Sequence, residues 1–357
     1  MSADLQTRPL APGPDPLATR PRLGRKVLWA SVVWSALLGT LGALLLGRGP
    51  VVAVLLSVLA LAVSLPALSA RIEGSRRAKD RFVTIVVSIA FSLAMLPLVS
   101  VLWTVISNGI ERFDGTFFSS DMTGVLGEGG GALHAIVGTL LVTGGAAVIS
   151  IPVGIMTAVY LVEYGRGPLA RSVTLLVDVM TGIPSIVAGL FAFAFFALFF
   201  GPSIRFGLGG AVALSVLMIP VVVRSVEEML KLVPNELREA SYALGVPQWR
   251  TIVRVVLPTA AAGIAAGVTL SIARVIGETA PLLIIAGATT QVNGNLFDGR
   301  MMTLPVFTYS SYTIPGVPPE FGVDRAWAAA LTLFVIVMAL NLVARLIARF
   351  FGNPTGR

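Results

Sequence analysis

Residues 133–161 read LHAIVGTLLVTGGAAVISIPVGIMTAVYL, an apolar stretch without a single Asp, Glu, Lys or Arg. About 20 such residues in a helix are enough to cross the hydrocarbon core of a membrane. Further stretches of comparable length and hydropathy lie on both sides of it. The sequence therefore predicts an all-α polytopic membrane protein with eight spans: 27–47, 50–70, 82–107, 133–161, 173–200, 208–226, 259–288 and 326–348.

The composition agrees with this fold class, because a chain of 357 residues with 55% hydrophobic and 12% charged residues is too apolar for an ordinary soluble domain. The net charge of +8 does not indicate nucleic-acid binding, since the basic residues flank apolar spans and form no basic stripe. They are concentrated in alternate connections, which the positive-inside rule places in the cytoplasm. With an even number of spans, both termini are predicted to be cytoplasmic.

Several kinds of chemistry are excluded by the residues that are missing. The chain has no Cys and a single histidine, His134, so it offers neither a disulfide framework nor a cysteine or histidine metal cluster. It contains no G-x-x-x-x-G-K-[ST] motif either, so it cannot cradle a nucleotide in a P-loop of its own. We expect no metal and no bound cofactor.

The charge pattern divides the chain into four segments. Residues 1–26, rich in Pro and Arg, are predicted to form a disordered cytoplasmic tail. A signal peptide is a weaker interpretation, because the following apolar run is too long and lacks an A-x-A-like cleavage site. Residues 27–70 form an accessory transmembrane hairpin without ionisable residues in its apolar centres, 71–81 a basic cytoplasmic linker, and 82–350 the core.

Prolines interrupt the predicted spans four to seven, at Pro152, Pro184, Pro220 and Pro281. Each removes a backbone donor and clashes with the carbonyl four residues earlier. Freed carbonyls are tolerated at membrane depth where they face protein or a water-lined cavity. The succession favours helices that surround a pathway, although any single proline could be simply tolerated.

Ionisable residues inside spans are costly and mark functional sites. Arg274 and Glu278 are four residues apart, so a continuous helix would place them on one face at pairing distance. They could form an intrahelical salt bridge, or Arg274 could offer its planar donors to an oxyanion, which we favour. Asp178 could support packing or function. Arg224 could anchor its span or belong to the same anion path.

The cytoplasmic loop at about 229–258 is predicted to hold two short amphipathic helices. The first opens at Pro234 and Asn235, and the second precedes Pro258. Such helices cannot bury their apolar faces alone. They must dock on the membrane surface or on a partner protein.

This loop resembles the EAA loop of binding-protein-dependent ABC importer permeases at the full spacing, with the matching residues Glu239, Ala240, Ser241, Gly245, Val255, Leu257 and Pro258. The resemblance implies the type I ABC importer transmembrane fold, here a six-helix core plus the N-terminal hairpin. It also implies that Glu239, Ala240, Gly245, Leu257 and Pro258 couple the chain to a separate ATP-hydrolysing subunit. The chain itself would then be a transporter subunit and not an enzyme.

Three longer stretches resemble the PstA family of phosphate permeases: TGIPSIVAGLFAF (181–193), VVVRSVEEMLKLVPNELREASYALG (221–245) and ARVIGETAPLL (273–283). The similarity covers roughly 82–350. It implies a bacterial inner-membrane importer of inorganic phosphate, with Arg224, Arg274 and Glu278 on the phosphate path. The implied partners are a PstC-like permease, a PstB-like ATPase dimer and a PstS-like extracytoplasmic phosphate-binding protein.

Other classes of function fit less well. An anion secondary transporter or channel would use the same buried Arg and Glu but would not need an EAA loop. An ABC permease for a different oxyanion would need both the buried Arg and Glu and the EAA loop. A membrane-embedded enzyme would need a nucleophile, a metal cluster or a carboxylate pair at depth, and the sequence supplies none of these.

Overall fold

The computed structural model describes residues 23–351, and these residues are helical with no strand among them. The chain divides between Leu102 and Trp103 into two compact units. Within the described residues, seven helices are long and apolar enough to cross a membrane, and an eighth span is present if one sharply bent helix pair is counted as one. The predicted fold class, an all-α polytopic membrane protein, is confirmed.

The first unit contains a hairpin of α1 (Arg25–Leu45) and α2 (Pro50–Ile72), followed by most of α3 (Ser75–Gly109). Small residues let the two hairpin helices approach closely, because a Cβ on Gly39 would lie 2.0 Å from the Ser57 hydroxyl. The Ser35 and Ser64 hydroxyls are 3.3 Å apart across the same contact. The outer faces of the hairpin are apolar and exposed.

The predicted linker 71–81 is mostly helical. Only Glu73 and Gly74 separate α2 from α3. Gly74 has a φ of +97°, which supplies the sharp turn that a residue with a Cβ rarely adopts. The Arg, Lys and Ala residues that follow favour helix, so the charged segment extends α3 instead of forming a loop. Of the predicted tail, residues 1–22 lie outside the described residues, and Arg25 and Lys26 already belong to α1.

The second unit is built around α5 (Leu133–Val159) and α8 (Gly207–Lys231), and α8 is the most buried of the spanning helices in the described part of the chain. Gly154 of α5 lies against Val222 of α8, so close that a Cβ would be 2.5 Å from the valine side chain. The remaining helices are α4 (Gly115–Ser119), α6 (Pro168–Thr181), α7 (Ser185–Phe200), α9 (Asn235–Ala243), α10 (Gln248–Thr251), α11 (Leu257–Val275), α12 (Ala280–Ile285), α13 (Leu304–Thr313) and α14 (Pro319–Phe351).

Two of the four prolines break their spans and two do not. Pro152 and Pro220 lie inside the continuous helices α5 and α8. Pro184 separates α6 from α7, which are bent by 108°. Pro281 stands in the first turn of α12, after the end of α11 at Val275. The two broken positions each have a glycine a few residues earlier, Gly182 and Gly277, so backbone freedom adds to the missing donor.

The segment that precedes α5 is held by arginines. Arg112 donates to the carbonyl of Gly130 at 2.9 Å. Arg325, buried on α14, donates from Nη1 to the carbonyls of Gly127 and Gly129 at 2.8 and 3.1 Å.

α13 was not predicted, because ten residues that include Ser, Thr and Tyr are too short and too polar for a span. Its first N–H, on Leu304, donates to Thr139 of α5 at 2.7 Å.

Candidate functional site

Arg274 and Glu278 do not form the predicted helical pair. α11 ends at Val275, and Glu278 follows the break that Gly277 and Pro281 introduce. Among the described residues, no ion pair or side-chain hydrogen bond joins the two. The expected intrahelical geometry is therefore wrong, since the spacing of four residues brings side chains together only on a continuous helix.

The two residues nevertheless share one cavity. It has a volume of about 190 Å³, and Arg274, Val275 and Glu278 form one side of it. The rest of the lining comes from the break between α6 and α7 and from α8: Met180, Thr181, Ile183, Ser185, Leu217 and Val221. The α6–α7 break, α8 and the end of α11 thus meet around a small space. Its lining contains one basic side chain, Arg274, and one acidic side chain, Glu278.

The start of α7 adds a positive dipole end to this cavity. α7 begins at Ser185, which lines the cavity, and its N-cap residue, Pro184, provides no side-chain cap. The first N–H groups of a helix have no intrahelical acceptor and carry partial positive charge. Together with the Arg274 guanidinium, they make this end of the cavity suitable for an anion.

Arg224 does not line the cavity and is engaged elsewhere. It contacts Asp178 of α6 through Nη2, and its Nη1 donates to Glu227 at 2.8 Å. Glu227 also pairs with Lys231 at 2.7 Å. Of the two roles considered for Arg224, this geometry favours the structural one. Asp178 is its partner on α6, so the Arg224–Asp178 ion pair fixes α6 against α8 about one helical turn before the end of α6.

The segment between α8 and α11 has the predicted first helix and turn. α9 begins at Asn235, and Gly245 has a φ of +76° in the turn after it, a conformation that favours glycine. The second predicted helix is not separate. α10 continues through a π-helical turn, Ile252–Val256, into α11 as one helix from Gln248 to Val275. The wider turn directly precedes Pro258, whose ring would clash with a regular helical carbonyl at Arg254.

α9, the turn after it and the start of α10 present an exposed and mostly apolar surface, which we name the coupling surface. It is formed by Leu237, Glu239, Ala240, Tyr242, Leu244, Gly245 and Trp249. Leu244 is 84% exposed and Trp249 56%. Leu257 is half-buried and Pro258 exposed, and both lie beyond the π-helical turn, at the start of α11.

Polar contacts that the sequence did not reveal hold α9 in place. Arg238 donates to Glu163, in the π-helical turn Tyr160–Tyr164 that continues α5, from Nε and Nη2 at 3.1 and 2.8 Å. It also donates to the carbonyls of Val233 and Leu230, at the end of α8. The Ser241 and Thr251 hydroxyls are 2.8 Å apart between α9 and α10. In the sequence, Arg238 is one of several basic residues in this loop. Glu163 is 75 positions away, so no local pattern links the two residues.

The comparisons with known proteins place this site in a family. Residues 150–353 match the family described as "Binding-protein-dependent transport system inner membrane component". The phosphate transport system permease protein PstA 1 of Mycobacterium tuberculosis is 48% identical, over 79% of this chain and 91% of that protein. The PstA protein of Pasteurella multocida is 38% identical, over 76% of this chain and 95% of that protein.

Among solved structures, the chain is similar to one of the inward-facing MetNI methionine ABC transporter. That similarity is 23% identity over 62% of this chain and 94% of the other, with a TM-score of 0.48. The family match includes the cavity and the coupling surface, and the sequence matches extend over most of the relatives. The chain belongs to the PstA family of ABC importer permeases.

Proposed function

We propose that this chain is the permease subunit of an ATP-driven importer of inorganic phosphate in the bacterial inner membrane, with both termini in the cytoplasm. The observation that carries the proposal is the cavity in which Arg274 and Glu278, neither of them in an ion pair within residues 23–351, meet the start of α7. Its chemistry suits a small oxyanion, and the names of the PstA relatives support phosphate.

Arg274 offsets part of the cost of removing water from the anion. Its guanidinium presents planar donors that match two phosphate oxygens, and the N–H groups at the start of α7 add further donors. Glu278 repels the same anion and keeps its residence short, which a transport path requires. The chain performs no chemistry on phosphate, and ATP hydrolysis takes place in a separate PstB-like ATPase dimer.

The coupling surface docks into that ATPase dimer. Closure of the dimer pushes α9, and the Arg238–Glu163 pair passes the displacement to the ends of α5 and α8. α8 lines the cavity and is joined to α6 by the Arg224–Asp178 ion pair. Movement of α9 therefore reaches the α6–α7 break through the Arg238–Glu163 and Arg224–Asp178 pairs. This movement opens the cavity alternately to each side of the membrane.

Two further partners complete the proposal. A PstC-like permease covers the exposed side of Arg274, since a single chain leaves this charge open. A PstS-like extracytoplasmic protein delivers phosphate to the outer side. The hairpin 27–70 is accessory to transport, and the core from 82 to 350 suffices for it. A chain beginning at Arg71 should then insert with its basic end inside and still transport phosphate.

The experiment is uptake of radiolabelled phosphate by cells that lack other phosphate transporters, normalised to the amount of assembled complex. Arg274→Gln should abolish uptake, while Arg254→Gln, an exposed arginine at the other end of the same helix, should retain most of it. Uptake that persists without the ATPase subunit would instead indicate a channel or secondary transporter. Competition by sulfate or molybdate as strong as by phosphate would indicate a permease for a different oxyanion.

A further inference from the structure

A second cavity, of about 420 Å³, lies beside the turn that joins α2 to α3, within the first unit. Its volume falls in the range of roughly 300–1,000 Å³ that small-molecule sites occupy. Its lining combines apolar and charged residues: Leu23, Leu65, Glu73, Arg77, Asp80, Arg81, Thr84 and Ile85. The transport mechanism proposed above makes no use of it.

Two of the four charged residues in this cavity, Glu73 and Arg81, form an ion pair with each other. The Glu73 carboxylate, almost wholly buried, accepts hydrogen bonds from Arg81 Nε and Nη2 at 2.8 and 3.0 Å. It also accepts from the Leu23 N–H and the Ser69 hydroxyl, both at 2.7 Å. With four donors on its two oxygens, Glu73 has little capacity left for Arg77.

Within the described part of the chain, the side chains of Arg77 and Asp80 carry opposite charges and have no ion-pair partner. Neither takes part in an ion pair among residues 23–351, and Nη1 of Arg77 is buried without a hydrogen-bond acceptor. A buried donor without an acceptor is unfavourable. The two residues are three positions apart at the start of α3 and so lie on one face. The cavity therefore offers one unpaired cation and one unpaired carboxylate to the same ligand.

The position of this cavity indicates where such a ligand comes from. α2 and α3 are membrane-spanning helices whose outer faces are apolar, with Leu59, Phe82 and Val83 exposed. Their shared turn lies at the basic, cytoplasmic end of both helices, at the level of lipid headgroups. Exposed Arg71, Arg76 and Lys79 surround the turn and attract phosphate groups to it.

We propose that this cavity binds the headgroup of a zwitterionic phospholipid with a primary amine, phosphatidylethanolamine. Arg77 donates to the phosphate, Asp80 accepts from the ammonium group, and Leu65 and Ile85 contact the apolar glycerol region. The phosphate chemistry is shared with free inorganic phosphate, whereas the ammonium group and the apolar contact belong to the lipid alone.

The test uses the full chain in the assembled transporter, purified in mild detergent, with thermal stability measured against added ligand. Phosphatidylethanolamine should stabilise the complex saturably and at lower concentration than phosphatidylglycerol, which lacks the amine, or phosphatidylcholine, whose quaternary ammonium cannot donate a hydrogen bond. Arg77→Gln should weaken the apparent affinity about tenfold. The matched control Arg76→Gln, which removes the same charge from an exposed neighbour, should change it less than about twofold.

Asp80→Asn should abolish the preference for phosphatidylethanolamine over phosphatidylglycerol. Because Asp80 is exposed, this variant should fold even if Arg77→Gln does not, and Arg77→Lys provides a milder change at the first position. Equal weakening by the Arg77 and Arg76 variants would overturn the proposal. So would wild-type affinity for phosphatidylglycerol equal to that for phosphatidylethanolamine, or stabilisation by inorganic phosphate that depends on Arg77 as strongly as the lipid does.

Discussion

Arg238 of α9 donates two hydrogen bonds to one carboxylate oxygen of Glu163, in the π-helical turn that continues α5, and both side chains are largely buried. This pair connects α9 to a spanning helix through side-chain hydrogen bonds. It joins segments that are far apart in sequence, and the guanidinium also reaches the end of α8. A force on α9 is therefore applied to two spans at once.

Breaking this pair should separate coupling from assembly. Arg238→Met leaves Glu163 as a buried, unpaired carboxylate, which should destabilise the chain by about 3–5 kcal/mol. The double variant Arg238→Met with Glu163→Met removes both charges and should recover most of that stability. We expect it to bind the ATPase normally but to show little phosphate-stimulated ATP hydrolysis. Full stimulation in the double variant would contradict a role for this pair in transmission.

The turn after α9 gives a second prediction. Gly245 has a φ of +76°, and Gly245→Ala should cost about 1–2 kcal/mol because a Cβ is disfavoured there. Gly245→Trp should also block docking and lower copurification of the ATPase, while membrane insertion stays unchanged. The control is Gly144→Ala, in the middle of α5, where a Cβ meets no atom within 4 Å. Normal copurification with Gly245→Trp would remove Gly245 from the coupling surface.

A charge exchange tests what Arg224 does. Arg224→Asp alone places three carboxylates together with Asp178 and Glu227 and should abolish uptake. If the residue joins α8 to α6, adding Asp178→Arg should restore a substantial part of the uptake, because the ion pair is rebuilt with reversed polarity. Direct binding of phosphate by Arg224 predicts no such rescue. Uptake per assembled complex distinguishes the two outcomes.

Arg274 and Glu278 should be essential as separate groups. The double variant Arg274→Met with Glu278→Leu removes both charges from the cavity, so neither remains there without its counter-charge, and the variant should assemble normally. It should nevertheless transport no phosphate. Arg274→Lys should recover little, because an ammonium group does not reproduce the planar donors. Substantial uptake by the double variant would show that the cavity is not the anion path.

The hairpin provides a pH-dependent prediction. The hydrogen bonds from Arg81, followed by those from Leu23 and Ser69, lower the pKa of Glu73 from 4.5 to about 2 despite its burial. The folded pKa lies below the unfolded one, so the stabilisation is present above about pH 4.5 and is lost as the pH falls toward 2. Thermal unfolding of the wild type and of Glu73→Gln should differ at pH 7, and the difference should shrink below about pH 4.5 and vanish only near pH 2. A constant difference would contradict this assignment.

The spans could be predicted from the sequence because the length and hydropathy of an apolar stretch are local properties. The α9 helix and its turn were predictable for the same reason, since Pro234 and Gly245 mark its two ends. The α6–α7 bend was not, because a proline alone does not decide between a kink and a break, and Pro152 and Pro220 lie in helices that continue. Whether a proline bends its helix or breaks it depends on the residues packed around it.

The site was predicted only in part. Arg274 and Glu278 were recognised by their cost at membrane depth, but the break at Gly277 changed how they face each other. The partnership of Arg224 with Asp178 links residues 46 positions apart, and that of Arg238 with Glu163 links residues 75 apart. Sequence spacing carries no information on such pairs. They become visible only when the helices that bear them are placed.

The hydrogen bonds from Arg325 to the carbonyls of Gly127 and Gly129 have a consequence for the loop that precedes α5. A glycine-rich segment is ordinarily the most compliant part of a surface and the first that a protease cuts. Here it is fastened to a guanidinium buried on α14, so it should resist digestion until α14 itself is displaced. A displacement of α14 would also move this segment directly, so the rate at which a protease cleaves the segment reports on the position of that helix.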